Sequence, residues 1–275
     1  MSDAAGIIEI KEIGDPRLED YRDIRDREVK GAGAVGGLFI AEQALVVERM
    51  LGVPGAAKSV LVSPNWLDRI QPLAPPGVAV YVAPLALMKQ VAGFDIHRGV
   101  LGVGRRDAFQ RADLELSRGP KTPVTVLLCE EVSNIDNIGF LFRNAAAFGV
   151  DGVLLSPRCH DPLYRKSLRV SIGHALTVPF ARSRDWERDL KRLKRDRHLT
   201  LIGAATGGDA VDLDSVPRPL RVGLIVGQEY DGLAPATLDL CDHVARIPMA
   251  EGVDSLNVAV AAAVCLHRFT TGRRV

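Results

Sequence analysis

Val124-Thr125-Val126-Leu127-Leu128-Cys129 constrains the fold more than any other stretch of the chain. A run with so few polar atoms suits a strand buried on both faces, the type found in parallel sheets. Gly152 to Leu155, Leu199 to Ala205 and Arg221 to Val226 share its character, and shorter strands are expected at 176–178 and 243–247. Helical stretches lie between and after them, at 140–148, 161–171, 184–197 and from about Ser255 to Thr270. The alternation predicts an α/β domain with a parallel sheet and helices on both faces. In such sheets ligands gather beyond the carboxyl ends of strands. Glycine and short polar residues mark three of those ends, at 206–209, 227–232 and 247–257, and the loop from Glu130 to Gly139 is a fourth candidate.

The first half of the chain alternates on a smaller scale. Strands are expected at 59–63, 78–82 and 99–104, with helices at 65–71 and from Pro84 to about Val91. Leu38 to Leu51 carries apolar residues at helical spacing and stops at Gly52. Residues 16–30 read as a charged helix with Pro16 in its first turn. Its arginines alternate with acids, as on a solvated face; a phosphate contact is the alternative. Residues 111–122 turn charged and then turn-forming, with Gly119-Pro120. They read as a linker between a small α/β domain, 1–110, and the larger domain, 123–275.

Composition excludes more than it selects. Thirty-five basic residues against 34 acidic ones give a net charge of +1, so any nucleic-acid surface must be local. The helix at 184–197 has such a basic face, which a solvated surface explains equally well. Cys129, Cys159, Cys241 and Cys265 form no C-x-x-C pair, and no histidine stands at metal-ligand spacing beside them. They read as reduced thiols of a cytoplasmic protein without a metal. No apolar run reaches the roughly 18 residues of a membrane span, and residues 1–6 lack the features of a signal peptide. Asp95 and His97 make a weak pair, and Gly102-Val103-Gly104 lacks the third glycine of a dinucleotide fingerprint, which argues against a nicotinamide dehydrogenase.

Three ordered segments carry a resemblance. Asn137-Ile138-Gly139-Phe140-Leu141-Phe142-Arg143-Asn144-Ala145 reads as N-x-G-x-x-x-R-x-A, Leu224 to Glu229 closes on Gly227-Gln228-Glu229, and Ile247-Pro248-Met249 leads to Asp254-Ser255-Leu256-Asn257-Val258-Ala259. Together they resemble the motifs of the SpoU/TrmH family of SPOUT RNA methyltransferases over roughly residues 122–272. The first domain, through its layout and Phe39-Ile40-Ala41-Glu42, more loosely resembles the ribosomal-protein-like RNA-binding domain that precedes the catalytic domain in many members.

The resemblance implies a SPOUT domain whose parallel sheet contains a deep trefoil knot, an arrangement that periodicity would never suggest. It implies S-adenosylmethionine as cofactor, at Gly227, Ile247 and Leu256, with Thr206 and Met249 beside them. It implies methyl transfer to a ribose 2′-hydroxyl, with Arg143, Asn137, Glu229, Ser255 and Asn257 as the catalytic set. A guanidinium is a poor base, so Arg143 is expected to grip the adjacent phosphate and orient the hydroxyl. The implied partners are RNA, ribosomal more than transfer RNA, and a second copy of the chain, packed through the final helix. A non-catalytic RNA-binding or ribosome-assembly protein on the same fold is the alternative. Taken singly, Arg143 is a helix arginine, Asn137 and Ser255 are helix caps, and Glu229 is a loop acid. Tyr230 stands where the family usually has glycine, which puts substrate choice in doubt.

Overall fold

A computed structural model describes residues 6–24, 37–96, 98–109, 113–114, 116, 119, 121–207, 209–228 and 231–270. Contacts divide the chain into two compact units. One is Met1–Gln110 with Leu163–Thr177; the other is Arg111–Pro162 with Val178–Val275.

The first unit holds β1 (Ile7–Glu9), β2 (Leu38–Glu42), β3 (Ala57–Val62), β4 (Ala79–Val82) and β5 (Val100–Arg105), in the order β1-β4-β3-β5-β2. Its helices are α1 (Ala44–Leu51), α2 (Leu67–Ile70) and α3 (Leu85–Ala92). The helix expected from Leu38 to Leu51 is in fact a strand followed by a helix. β2 pairs antiparallel with β5 from Leu38↔Arg105 to Glu42↔Leu101. Phe39 and Ile40 are buried there. An apolar run cannot by itself tell a buried strand from a helix; here a pairing partner decides. Of the helix expected at 16–30, Pro16–Tyr21 is a 3₁₀ turn, with Arg17 bonded to Asp15 and Arg22 to Glu19. Residues 25–36 lie outside the described residues, as does His97.

The segment 163–177 follows the second domain's strands in sequence yet packs in the first unit. Glu42, only 3% exposed, is the physical reason. Its carboxylate accepts a hydrogen bond from Arg165 Nη1 at 2.6 Å and stands 3.6 Å from Arg169 Nη1. The Arg165 guanidinium also lies 4.4 Å from the Phe94 ring centroid. A buried carboxylate is costly without such partners, and both cations sit on α5 (Arg165–Val170).

The second unit is built on seven strands in the order β10-β12-β9-β11-β6-β7-β8. These are β6 (Val124–Cys129), β7 (Gly152–Leu155), β8 (Phe180–Arg182), β9 (Thr200–Ala204), β10 (Val211–Asp212), β11 (Arg221–Val226) and β12 (His243–Arg246). Every pairing is parallel. β6 and β11 pair from Arg221↔Val124 to Val226↔Cys129, and all twelve of their residues are buried, as the apolar runs predict. Among the described residues its helices are α4 (Ile135–Ala147), α6 (Trp186–Arg197), α7 (Pro235–Leu238) and α8 (Val258–Thr270).

Three expectations shift. The strand expected at 176–178 lies at 180–182, where it pairs with β7, and 174–176 is a 3₁₀ turn. α4 begins at Ile135 rather than 140, because Asn134 Oδ1 accepts the N–H groups of Asp136 and Asn137. α8 begins at Val258, not Ser255, capped by Asn257. The basic face of α6 is largely neutralised: Lys191 pairs with Glu187, Arg192 with Asp113, Lys194 with Asp242 and Arg195 with Asp196. Among the described residues, no helix is long and apolar enough to cross a membrane and no cluster of His, Cys, Asp and Glu could hold a metal ion.

Candidate functional site

β12, β9 and β11 are neighbours in a parallel sheet, so their carboxyl ends share one edge. The loops leaving them line an open cavity of about 500 Å³. That volume falls within the range of small-molecule and cofactor sites. Thr206 and Gly207 come from the loop after β9; Gly227, Gln228 and Asp231 follow β11; Ile247, Met249, Ser255 and Leu256 follow β12. Val226, Leu233, Ile247, Met249 and Leu256 supply apolar wall, while Thr206, Gln228, Asp254 and Ser255 supply polar groups. An apolar slot with a few polar groups is what a nucleoside-like molecule requires.

The described residues after β11 bond to one another. Gln228 bridges to Gly232, and Gln228 Nε2 donates to Asp231 Oδ2 at 2.9 Å. Residue 227 must be glycine, because a Cβ there would stand 2.3 Å from the Gly232 carbonyl oxygen. Backbone packed this closely leaves no room for a side chain.

The expected site residues separate into groups. All five expected cofactor residues, Thr206, Gly227, Ile247, Met249 and Leu256, line the cavity, and so does Ser255. Asn137 and Asn257 do not line it, but they meet each other. Asn257 Nδ2 donates to Asn137 Oδ1 at 2.9 Å, and its own Oδ1 accepts the Ala259 N–H at 2.9 Å. Asn257 therefore caps α8 and ties it to the first turn of α4, where Asn137 is 3% exposed. Asn144 Nδ2 donates to Ala259 O at 2.7 Å and closes the seam from below. Arg143 is exposed, on the side of α4 that carries Phe140 and Ala147; it is not a lining residue, and it makes no hydrogen bond or ion pair among the described residues. Glu229 and Tyr230 lie outside the described residues.

Sequence reasoning passed over Glu130, which is 5% exposed and holds the loop after β11 from behind. Its place at the carboxyl end of an apolar strand was the available signal. The cysteines offer no nucleophile. Burial pushes the Cys129 and Cys159 thiols above their usual range, Cys241 to about 11 and Cys265 to about 12. A thiol needs a lowered pKa to react near neutrality.

Comparison with known proteins agrees with this geometry. Residues 124–267 match the model of the SpoU rRNA Methylase family. An uncharacterized tRNA/rRNA methyltransferase of Mycobacterium bovis is 37% identical over 98% of this chain and 93% of its own length. The fold is similar to that of an AdoMet-bound rRNA methyltransferase from Sinorhizobium meliloti, with a TM-score of 0.78 at 22% identity over 95% of this chain and 97% of that one. It is also similar to a SpoU methyltransferase from Streptomyces viridochromogenes in complex with AdoMet, with a TM-score of 0.72 at 21% identity over 94% of this chain and 99% of that one.

Proposed function

The chain belongs to the SpoU rRNA Methylase family, and on that premise we propose that it methylates a ribose 2′-hydroxyl of RNA, with S-adenosylmethionine as methyl donor. Ribosomal RNA is the preferred substrate in this reading, with transfer RNA second. The observation that carries it is the cavity at the ends of β9, β11 and β12, lined by the five residues expected to hold the cofactor. S-adenosylmethionine, when bound, supplies a methyl group on a positively charged sulfur. The chain's residues do the rest. Val226, Ile247 and Leu256 offer apolar contact, and Ser255 offers a hydroxyl at the cavity wall. The Asn137–Asn257 hydrogen bond holds the first and third motifs together. Arg143, with no partner among the described residues, grips a phosphate and so orients the neighbouring hydroxyl. Glu229 completes the set as an acceptor.

Incubation with labelled S-adenosylmethionine and total cellular RNA tests this, followed by mapping of 2′-O-methyl sites. Label on a base rather than a ribose, or no transfer at all, sinks the reading; label confined to transfer RNA reverses the substrate order. Arg143→Lys is expected to keep RNA affinity within about threefold while losing most turnover, because a lysine cannot hold phosphate in two places. Near-normal turnover by that variant removes Arg143 from the mechanism.

Four further points belong to the same reading. Residues 1–110 are an RNA-binding domain of ribosomal-protein type, joined to the catalytic domain through 111–122, and RNA affinity that survives their deletion would count against that. Two copies pair through α4 and α8, where Phe140, Val260 and Val264 are 44%, 51% and 40% exposed on helices that pack side by side. Light scattering should give a dimer mass that Val260→Asp halves; a monomeric wild type rejects the pairing. The second domain is a deep trefoil knot. Stretched from its ends in an optical trap, a knotted chain stops short of the ~3.3–3.6 Å per residue of an open one, and full extension refutes the knot. Four free cysteines are consistent with the cytoplasm, which fractionation of cells would check.

A further inference from the structure

Glu130 sits where β6 ends, away from the cavity wall, and touches both ends of the loop that forms part of that wall. Its N–H donates to the carbonyl of Val226, the last residue of β11, at 2.8 Å. Its Oε2 accepts the N–H of Ala234, just before α7, at 3.1 Å. Its Oε1 accepts the Thr237 hydroxyl at 2.6 Å. Between those two ends run residues 227–233, which contribute Gly227, Gln228, Asp231, Gly232 and Leu233 to the cavity. Gln228 bridges to Gly232, so the described residues at the two ends are also tied to each other. One side chain and its own N–H hold both.

We propose that Glu130 is a positioning residue for the cofactor cavity, setting where the lining residues Gly227 and Leu233 stand over the sheet; this rests on the reading of that cavity as the S-adenosylmethionine site. The donor count explains why the residue is a carboxylate. The Thr237 oxygen already accepts the Trp186 Nε1–H at 3.2 Å. Thr237 is 1% exposed, so its proton needs an acceptor inside the protein. The Ala234 N–H needs another. A carboxylate offers two acceptor oxygens, whereas an amide offers one and turns a donor toward a second donor. Among the described residues no cation pairs with Glu130, so these neutral donors supply its polar contacts. A buried donor left without an acceptor costs more than a hydrogen bond contributes, so a wrong group at 130 is relieved by movement of the loop end.

The test is titration calorimetry of full-length protein with S-adenosylmethionine, well below each variant's unfolding midpoint, for wild type, Glu130→Gln and Thr237→Val. Thr237→Val keeps the carboxylate and its bond to Ala234 while removing one donor. A cofactor Kd raised about tenfold by Glu130→Gln and about threefold by Thr237→Val is expected, since the two variants remove different shares of the same buried network. RNA affinity measured without cofactor should stay within about twofold of wild type, a difference of less than half a kcal/mol. A purely structural role would lower the unfolding midpoint and leave the cofactor Kd of the folded protein unchanged; that result for both variants overturns the inference. Should Glu130→Gln fail to fold, Thr237→Val decides alone. Wild type that binds no S-adenosylmethionine overturns the proposed function as well, whereas wild-type binding with unchanged variants overturns only the role of Glu130.

Discussion

Glu42 and Glu130 make the two units comparable. Each follows or ends a strand, each is buried, at 3% and 5% exposure, and each is followed by a non-glycine residue at positive φ, Gln43 at 83° and Glu131 at 55°. Their partners differ in kind. Glu42 meets two arginines, at 2.6 and 3.6 Å, from a segment 123 residues further along. Glu130 meets a backbone N–H and a hydroxyl. The first arrangement ties a distant segment into the unit. The second balances a buried carboxyl group with no cation paired to it among the described residues. A buried ion pair holds segments together strongly once formed, but tolerates the loss of neither partner. Hydrogen bonds from uncharged donors to a carboxylate fix its geometry more closely than a neighbouring charge does.

That contrast sets a scale of expected effects. Glu42→Ala should cost about 3–5 kcal/mol, because it removes the buried member of an ion pair that also draws on Arg169. Urea unfolding measures it, and a loss of less than about 1 kcal/mol would make the two glutamates equivalent and end the comparison. Gly227→Ala should come next. A methyl group 2.3 Å from the Gly232 carbonyl forces the loop open, at about 1–3 kcal/mol by the usual cost of overpacking, and weakens cofactor binding with it. An unchanged cofactor Kd would mean that the loop is not pinned as the structure has it. The smallest effect is a gain. Gln43 pairs φ 83° with ψ 146°, a region almost restricted to glycine, so Gln43→Gly should stabilise by about 1 kcal/mol. Glu131→Gly should gain less, since φ 55° is milder and the change also removes the Glu131–Arg158 ion pair. A reversed order would show that the strain lies beside Glu130 instead.

Much of the second unit was legible in the chain itself. β6, β7 and β11 fall where their apolar runs put them, since strands buried on both faces leave an unbroken apolar signature. The cavity loops were legible for a related reason: glycine and short polar residues punctuate strand ends, and those of parallel neighbours share an edge. Leu38–Glu42 was not legible as a strand, because its partner, β5, lies some 60 residues away and an apolar run has no period of its own. The start of α4 was missed because Asn134 was not recognised as its cap.

The sequence by itself determined the α/β alternation, the central strands β6, β7, β9, β11 and β12 of the parallel sheet and the three loops that line the cavity. Each of these is a local matter of period, burial and turn chemistry. Only the tertiary structure decided that Asn257 meets Asn137 across 120 residues, that Glu42 draws the segment 163–177 into the first unit, and that Glu130 holds both ends of a cavity loop. Such contacts have no sequence period, because which donor finds which buried acceptor is settled by where the sheet brings them, after the local elements have formed.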